Sequence, residues 1–319
     1  MSESTAPAPT PTATTTERQF SLWERTRGWV LNPWGRPRFL AVITWGYMAW
    51  AIVPVLIAIQ FSFNDSRSRT TWHGFSMRWY YSDPVDSVWN NPALRDALSQ
   101  SLKLAVADVV IATPIGVLLA IGLARWRGRG SGPSNFLMLF PLITPEIVMG
   151  VSLLLLFTRL EPFLALGTGT TAQILGHVTF SISYVVVIVR GRLFQIGGIF
   201  EEAAADLGAS PSVALTRVLL PLLTPAIIAS AAIVFAISLD DFVISQWLSS
   251  GSGTDTVPVK IYSATRAAPL PSTNAIATVM VLLTLTSVVA GYLVYRFFTR
   301  SERAGGSSAA QQFATFDAE

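Results

Sequence analysis

Four carboxylates of this chain stand where a charge is expensive: Asp108, Glu146, Asp240 and Asp241 each fall inside a long apolar stretch. An isolated charge near the centre of a bilayer costs on the order of 2.5–3.5 kcal/mol on insertion scales. Such groups tend to face a cavity or a partner, and what they offer there is pairing with a cation. His177, in another apolar stretch, reads as a buried histidine satisfied by hydrogen bonds. A second group of residues lies in a polar segment: Glu202-Ala203-Ala204, three residues, Gly208, nine more, then Val218-Leu219-Leu220-Pro221. Ala203 and Ala204 let another surface approach the backbone closely, and Glu202 can reach an arginine or amide on it. Spacing alone fits two roles, docking of a soluble partner or an amphipathic helix lying on the membrane interface.

Several chemistries are missing. No Gly-x-x-x-x-Gly-Lys-[Ser/Thr] run occurs, so the chain supplies no Walker phosphate cradle, and any ATP must be hydrolysed by another polypeptide. With no cysteine, two histidines and no His-Glu-x-x-His helix, neither a metal site nor a cofactor is expected. Asp240 and Asp241 have no nucleophile–base constellation beside them, which leaves a membrane-embedded enzyme a weak rival. No basic–aromatic footprint for nucleic acid appears.

The elements that must position these residues are membrane helices. The 319 residues are 51% hydrophobic and 13% charged, about half the charge of a soluble domain. Six stretches reach the roughly 20 apolar residues a bilayer crossing needs: 39–63, 98–123, 134–158, 171–192, 221–247 and 274–298. The second carries Asp108 and Pro114 and the fourth many Ser and Thr, so both should face other helices. Residues 1–38 form an N-terminal tail, of which 1–19, rich in Ser, Thr, Ala and Pro, should be disordered. The tail 299–319 reads the same way.

Arginine placement gives an orientation. Of the 22 basic residues, 14 lie before the first stretch, in the second-to-third and fourth-to-fifth connections, and in the C-terminal tail. The positive-inside rule puts those segments, and both termini, in the cytoplasm. Trp34, Trp126 and Trp247 sit near stretch ends, where indoles favour the interface.

Within the fourth-to-fifth connection, Gly197-Gly198 should end one helix. Phe200, Ala203, Ala204 and Leu207 then follow at i, i+3, i+4 and i+7, one apolar stripe on a two-turn helix. Glu201 and Glu202 suit its N-terminal dipole. Gly208 supplies a stop, Ser210-Pro211 a capped restart, and Pro221 and Pro225 a bend into the fifth stretch.

The spacing Glu-Ala-Ala-x3-Gly-x9-Val-x-Leu-Pro resembles the loop by which ABC-importer permeases dock onto their ATPases, with Val218 where that family usually has Ile. The resemblance extends over roughly 39–298. Pro145-Glu146-Ile147-Val148-Met149, Gly176-His177-Val178-Thr179-Phe180 and Ser238-Leu239-Asp240-Asp241-Phe242-Val243-Ile244-Ser245 look like the spermidine/putrescine permease subunits. So do Val257-Pro258-Val259-Lys260-Ile261-Tyr262-Ser263 and Asn274-Ala275-Ile276-Ala277-Thr278. The resemblance implies an all-α, six-span permease of a type I ABC importer, working by alternating access in a bacterial cytoplasmic membrane. It also implies two ATPase subunits, a second permease subunit and an extracytoplasmic polyamine-binding protein.

On that reading the 199–220 segment is the coupling element, with Glu202, Ala203, Ala204, Gly208, Leu220 and Pro221 its docking residues. Asp240, Asp241 and Glu146 become candidates for the cation path. Adjacent residues point about 100° apart on a helix, so one of Asp240 and Asp241 is expected to face it. The rivals are the same architecture carrying another solute, the membrane-embedded enzyme, and a non-transporting scaffold.

Overall fold

The computed structural model of the chain describes Trp23 and residues 38–68, 70–126, 128–164, 167–251, 253–267 and 270–316. The expected N-terminal tail, Trp23 and Arg38 apart, lies outside the described residues. Among these residues the chain is helical, with strand pairing limited to one isolated bridge, Asn64 to Phe75.

The chain divides into two units, one ending at Ile57 and one beginning at Ala58. The first holds most of α1, Arg38–Ser62, an apolar helix with Pro54 inside it. Its Thr44 Oγ1 donates back to the carbonyl of Leu40 at 2.8 Å, a local solution for a hydroxyl in an apolar helix.

The second unit carries α2 Pro92–Arg125, α3 Ser131–Ile143, α4 Glu146–Leu164, α5 Thr170–Ile196, α6 Ile199–Asp206, α7 Pro211–Asp240, α8 Val243–Leu248, α9 Val257–Ala267 and α10 Pro271–Phe316. Helices α1, α2, α5, α7 and α10 are long and apolar enough to cross a membrane. The pair α3 and α4 makes a sixth crossing if taken as one span bent by 104°.

Three expected boundaries change. The third stretch, read as one helix over 134–158, breaks at Thr144-Pro145. Proline clashes with a helical residue before it, so Thr144 turns extended at ψ 130° and its Oγ1 takes up the carbonyl of Phe140. The fifth stretch, read over 221–247, ends at Asp240 and restarts as α8. The tail from 299, expected to be disordered, continues α10 to Phe316; that segment has no proline and several strong helix formers.

Helices α2, α5 and α7 form the centre of the second unit. Val117 and Ala120 of α2, Val185, Val186, Val189 and Leu193 of α5, and Leu219, Leu223 and Val234 of α7 make one buried cluster. Gly116 sets the α2–α5 spacing: a Cβ there would stand 2.5 Å from Val185 Cβ. As expected, Asp108 of α2 faces other helices and is wholly buried.

The connection between α1 and α2 is a built structure. Trp79 is fully buried and donates Nε1–H to the carbonyl of Asn64 at 2.6 Å. Asn64 Nδ2 donates to the carbonyls of Ser68 and Thr71. Asp83 Oδ1 accepts the amides of Asp86 and Val85, and Arg78 Nε donates to its Oδ2 at 2.9 Å. Those amides first, and then Arg78, hold its carboxyl down at about 2 against the opposing effect of burial. The turn therefore has its full stabilisation above the ordinary carboxylate range and loses it only as pH falls through about 2. Asn91 then caps α2, accepting from the amides of Ala93 and Leu94, with Pro92 in the first turn.

The α2–α5 contact gives a stability test. Gly116→Val overpacks it against Val185 and should cost roughly 1–3 kcal/mol, read as a lower melting temperature in detergent. An unchanged melting temperature would show that the two helices do not pack at this distance.

Candidate cation cavity and docking segment

The break between α7 and α8 opens a cavity of about 1000 Å³. Helix α7 ends at Asp240, and Asp241 is already extended at φ −63°, ψ 119°. Both carboxylates line the cavity, and so does Glu146 from the first turn of α4. Both aspartates border it because the 100° step between neighbours holds only inside a continuous helix. Aromatic rings complete the walls: Phe180 and Tyr184 from α5, Phe242 from the break and Tyr262 from α9. Phe242 and Tyr262 pack at 4.7 Å, and the Arg266 guanidinium covers the Tyr262 ring at 4.6 Å. Ring faces beside carboxylates are the surroundings an organic ammonium group prefers.

The carboxylates differ in what holds them. Glu146 and Asp240 are exposed, and among the described residues neither side chain has a hydrogen-bond or ion-pair partner. Asp241 is enclosed: its Oδ2 accepts the Ser245 amide at 2.8 Å and lies 3.2 Å from His177 Nε2. His177 is buried as expected, with Nδ1 2.8 Å from Ser238 Oγ and Nε2 3.0 Å from Ser245 Oγ. One helical turn along α5, Ser181 Oγ donates to Asp108 Oδ2 at 2.6 Å. Asp108 is no part of the cavity wall; it belongs to this buried polar seam between α2 and α5.

Nearer the α5 N-terminus a second polar group fixes α8. Gln173, fully buried, receives Gln100 Nε2–H at 2.8 Å and donates to the carbonyls of Ser245 and Thr254, both at 2.9 Å. Gly169 N–H donates to Leu248 O at 2.7 Å. His177 lies seven residues into α5, about 10 Å along its axis at 1.5 Å per residue. The cavity floor is therefore set well inside the bundle.

The polar segment lies at the other end of α5. Gly197, at φ +69°, ends α5, and α6 follows two residues later. Gly208, at φ +81°, closes α6: its amide donates to Ala205 O and that of Ala209 to Ala204 O, both at 2.9 Å. Within the expected stripe only Ala204 is buried; Ala203, Phe200 and Leu207 face outward, Leu207 with 89% exposure. Beside them Ile199 is also exposed, so α6 shows an apolar face to its surroundings. Glu201 is ion-paired with Arg125 at the end of α2, whereas Glu202 is exposed and has no side-chain partner among the described residues.

The restart after Gly208 differs in detail from expectation. Ser210 occupies the cap position but makes no capping bond, and its Oγ meets Ser212 Oγ at 3.1 Å. Pro221 and Pro225 do not interrupt α7. A π turn over Leu215–Leu219 precedes them, with the Leu220 amide donating to Leu215 O. Leu220 is half-buried against the α5–α7 cluster, and Pro221 is exposed.

Sequence reasoning missed the aromatic walls, the Arg125–Glu201 pair and the partners of His177. No periodicity could have found the last, because the helix carrying Ser238 ends at Asp240 and Ser245 lies on the next one.

Comparison with known proteins fits this arrangement. Residues 112–304 match the family model described as binding-protein-dependent transport system inner membrane component. The spermidine/putrescine transport system permease protein PotC of Escherichia coli (strain K12) is 36% identical over 252 residues, 79% of this chain and 92% of that protein. The putrescine transport system permease protein PotI of the same strain is 35% identical over 279 residues, 86% of this chain and 94% of that protein. Among solved structures, a chain of a bacterial ABC transporter involved in the import of the acidic polysaccharide alginate superposes with a TM-score of 0.67. It shares 15% identity and covers 86% of this chain and 98% of its own length, a likeness of fold.

Proposed function

This chain belongs to the binding-protein-dependent transport system inner membrane components, and we propose that it is the polyamine-carrying permease subunit of an ATP-driven importer. The observation that carries the reading is the cavity, where Glu146 and Asp240, without side-chain partners among the described residues, stand beside four aromatic rings. A polyamine is a flexible chain of ammonium groups joined by methylenes. Its charges pair with the carboxylates, and its methylenes and ammonium hydrogens lie against the rings. The relatives transporting spermidine and putrescine support the same cargo.

Energy enters at α6. The outward apolar face of Ile199, Phe200, Ala203 and Leu207, with the exposed Glu202 beside it, is the surface a separate ATPase subunit docks on. A two-turn helix is marginal by itself, and Arg125–Glu201 and the buried Ala204 hold this one against the bundle. Nucleotide-driven closure of the ATPases moves α6, and α7 carries that motion toward Asp240. The cavity then faces the two sides of the membrane in turn. A second permease subunit completes it, and an extracytoplasmic binding protein delivers the cation. The Arg-rich connections and both termini lie in the bacterial cytoplasm by the positive-inside rule.

Uptake of radiolabelled spermidine by a strain lacking its own polyamine importers tests the cargo. The wild-type chain with its partner subunits should restore uptake. Glu146→Gln combined with Asp240→Asn should lower it about tenfold or more, the loss of two partly solvated ion pairs; no uptake by the wild type removes the cargo assignment. Gly208→Pro tests the docking segment, because proline cannot adopt φ +81°. ATP hydrolysis by the reconstituted complex should persist while uptake per ATP collapses. A normal ratio in this variant would take coupling away from α6.

A further inference from the structure

The cavity meets its ligand with carboxylates of two kinds. Glu146 and Asp240 are exposed and unpartnered among the described residues, whereas the Asp241 side chain is 10% exposed and committed to the protein. Its Oδ2 accepts the Ser245 amide at 2.8 Å and faces His177 Nε2 at 3.2 Å; its Oδ1 faces the Ile244 amide at 3.4 Å. A carboxylate accepts and does not donate, so the imidazole proton directed at it resides on Nε2. The ring cannot swing away, since Ser238 Oγ holds Nδ1 at 2.8 Å, Ser245 Oγ lies 3.0 Å from Nε2, and the residue is 2% exposed. His177 comes from α5, Ser238 from the last turn of α7, and Ser245 from α8. One side chain thus ties three elements at the break.

We propose that His177 is a positioning residue that masks Asp241, so that the transported cation is read by Glu146 and Asp240 while Asp241 serves as the tie between α5 and the α7–α8 break. The inference rests on the cation-cavity reading above and goes beyond it, because it divides two adjacent aspartates into a selectivity group and a structural one. The free carboxylate sets how strongly a third ammonium is favoured over a second. The masked carboxylate sets only how well the cavity floor is held.

The test compares the half-saturation constants for radiolabelled putrescine, a diamine, and spermidine, a triamine, in cells expressing the full chain with its partner subunits. Asp240→Asn should shift the diamine-to-triamine ratio of these constants about fivefold against the triamine, the effect of one partly solvated ion pair. Asp241→Asn should lower the maximal rate for both amines in parallel and leave that ratio within about twofold, since the masked charge contributes little. His177→Ala unmasks Asp241 and should shift the ratio toward the triamine, and Asp241→Asn added to it should abolish that shift. His177→Gln, which can still donate near the Nε2 position, should restore the wild-type ratio.

If Asp241→Asn moves the ratio as far as Asp240→Asn, the masking is refuted while the cavity reading stands. Should the wild type carry neither amine, the cavity reading falls and the masking with it. If His177→Ala does not reach the membrane on immunoblots, the two aspartate variants and His177→Gln decide between these outcomes.

Discussion

A helix that ends inside a membrane protein leaves peptide groups without partners where water cannot serve them, and each one costs several kcal/mol in hydrocarbon. The site of this chain depends on how that problem is solved between Asp240 and Val243. Asp241 accepts amides at the start of α8, Gln173 donates to the carbonyls of Ser245 and Thr254, and the Gly169 amide donates to Leu248 O. His177 joins the end of α7 to the start of α8 through two serine hydroxyls and Asp241. Gly169, Gln173 and His177, which hold these groups in place, come from the start of α5 or the residue before it. That end of α5 is what allows a broken span, and the broken span is what allows a cavity lined by consecutive aspartates.

The same reasoning separates what was legible in the sequence from what was not. Apolar length and the placement of glycine and proline carry the helices and the α6 turn, because those effects are local. Gly208 closes α6 with the bonds its left-handed conformation permits. The break at Asp241 was hidden because no glycine or proline marks it and the apolar stretch resumes with Phe242-Val243-Ile244. Its partners, Gln173 and His177, lie more than 60 residues earlier in the chain, beyond the reach of periodicity. Glu201 and Glu202 show the limit in a smaller way. Both suit the dipole of α6, and only the packed structure tells which one meets Arg125.

Helix α7 gives the arrangement its mechanical sense. It begins three residues after Gly208 and ends at Asp240, 30 residues or about 45 Å of helix. Pro221 and Pro225 lack the amide that a regular helix would use, yet the helix continues through both after the π turn over Leu215–Leu219. Leu219 and Leu223 anchor its first part on α5, and Val234 does so farther along. Under the alternating-access reading, a displacement at α6 therefore reaches the carboxylate end with little lost to bending.

Glu146 does not ride on that lever. It sits on α4, across the 104° bend from α3, and α4 packs mainly on α8, with a smaller contact on α5 through Met149, Phe157, Ala172 and Phe180. The cavity therefore has one free carboxylate on the central bundle and one on its flank. Under the proposed cation path, moving the bundle against the flank would change the distance between Glu146 and Asp240, and a flexible dication would be held by both only over a limited range of separations. Masking of Asp241 matters to this device. A third free charge fixed at the floor would hold one ammonium whatever the separation, and would oppose release when the other two move apart.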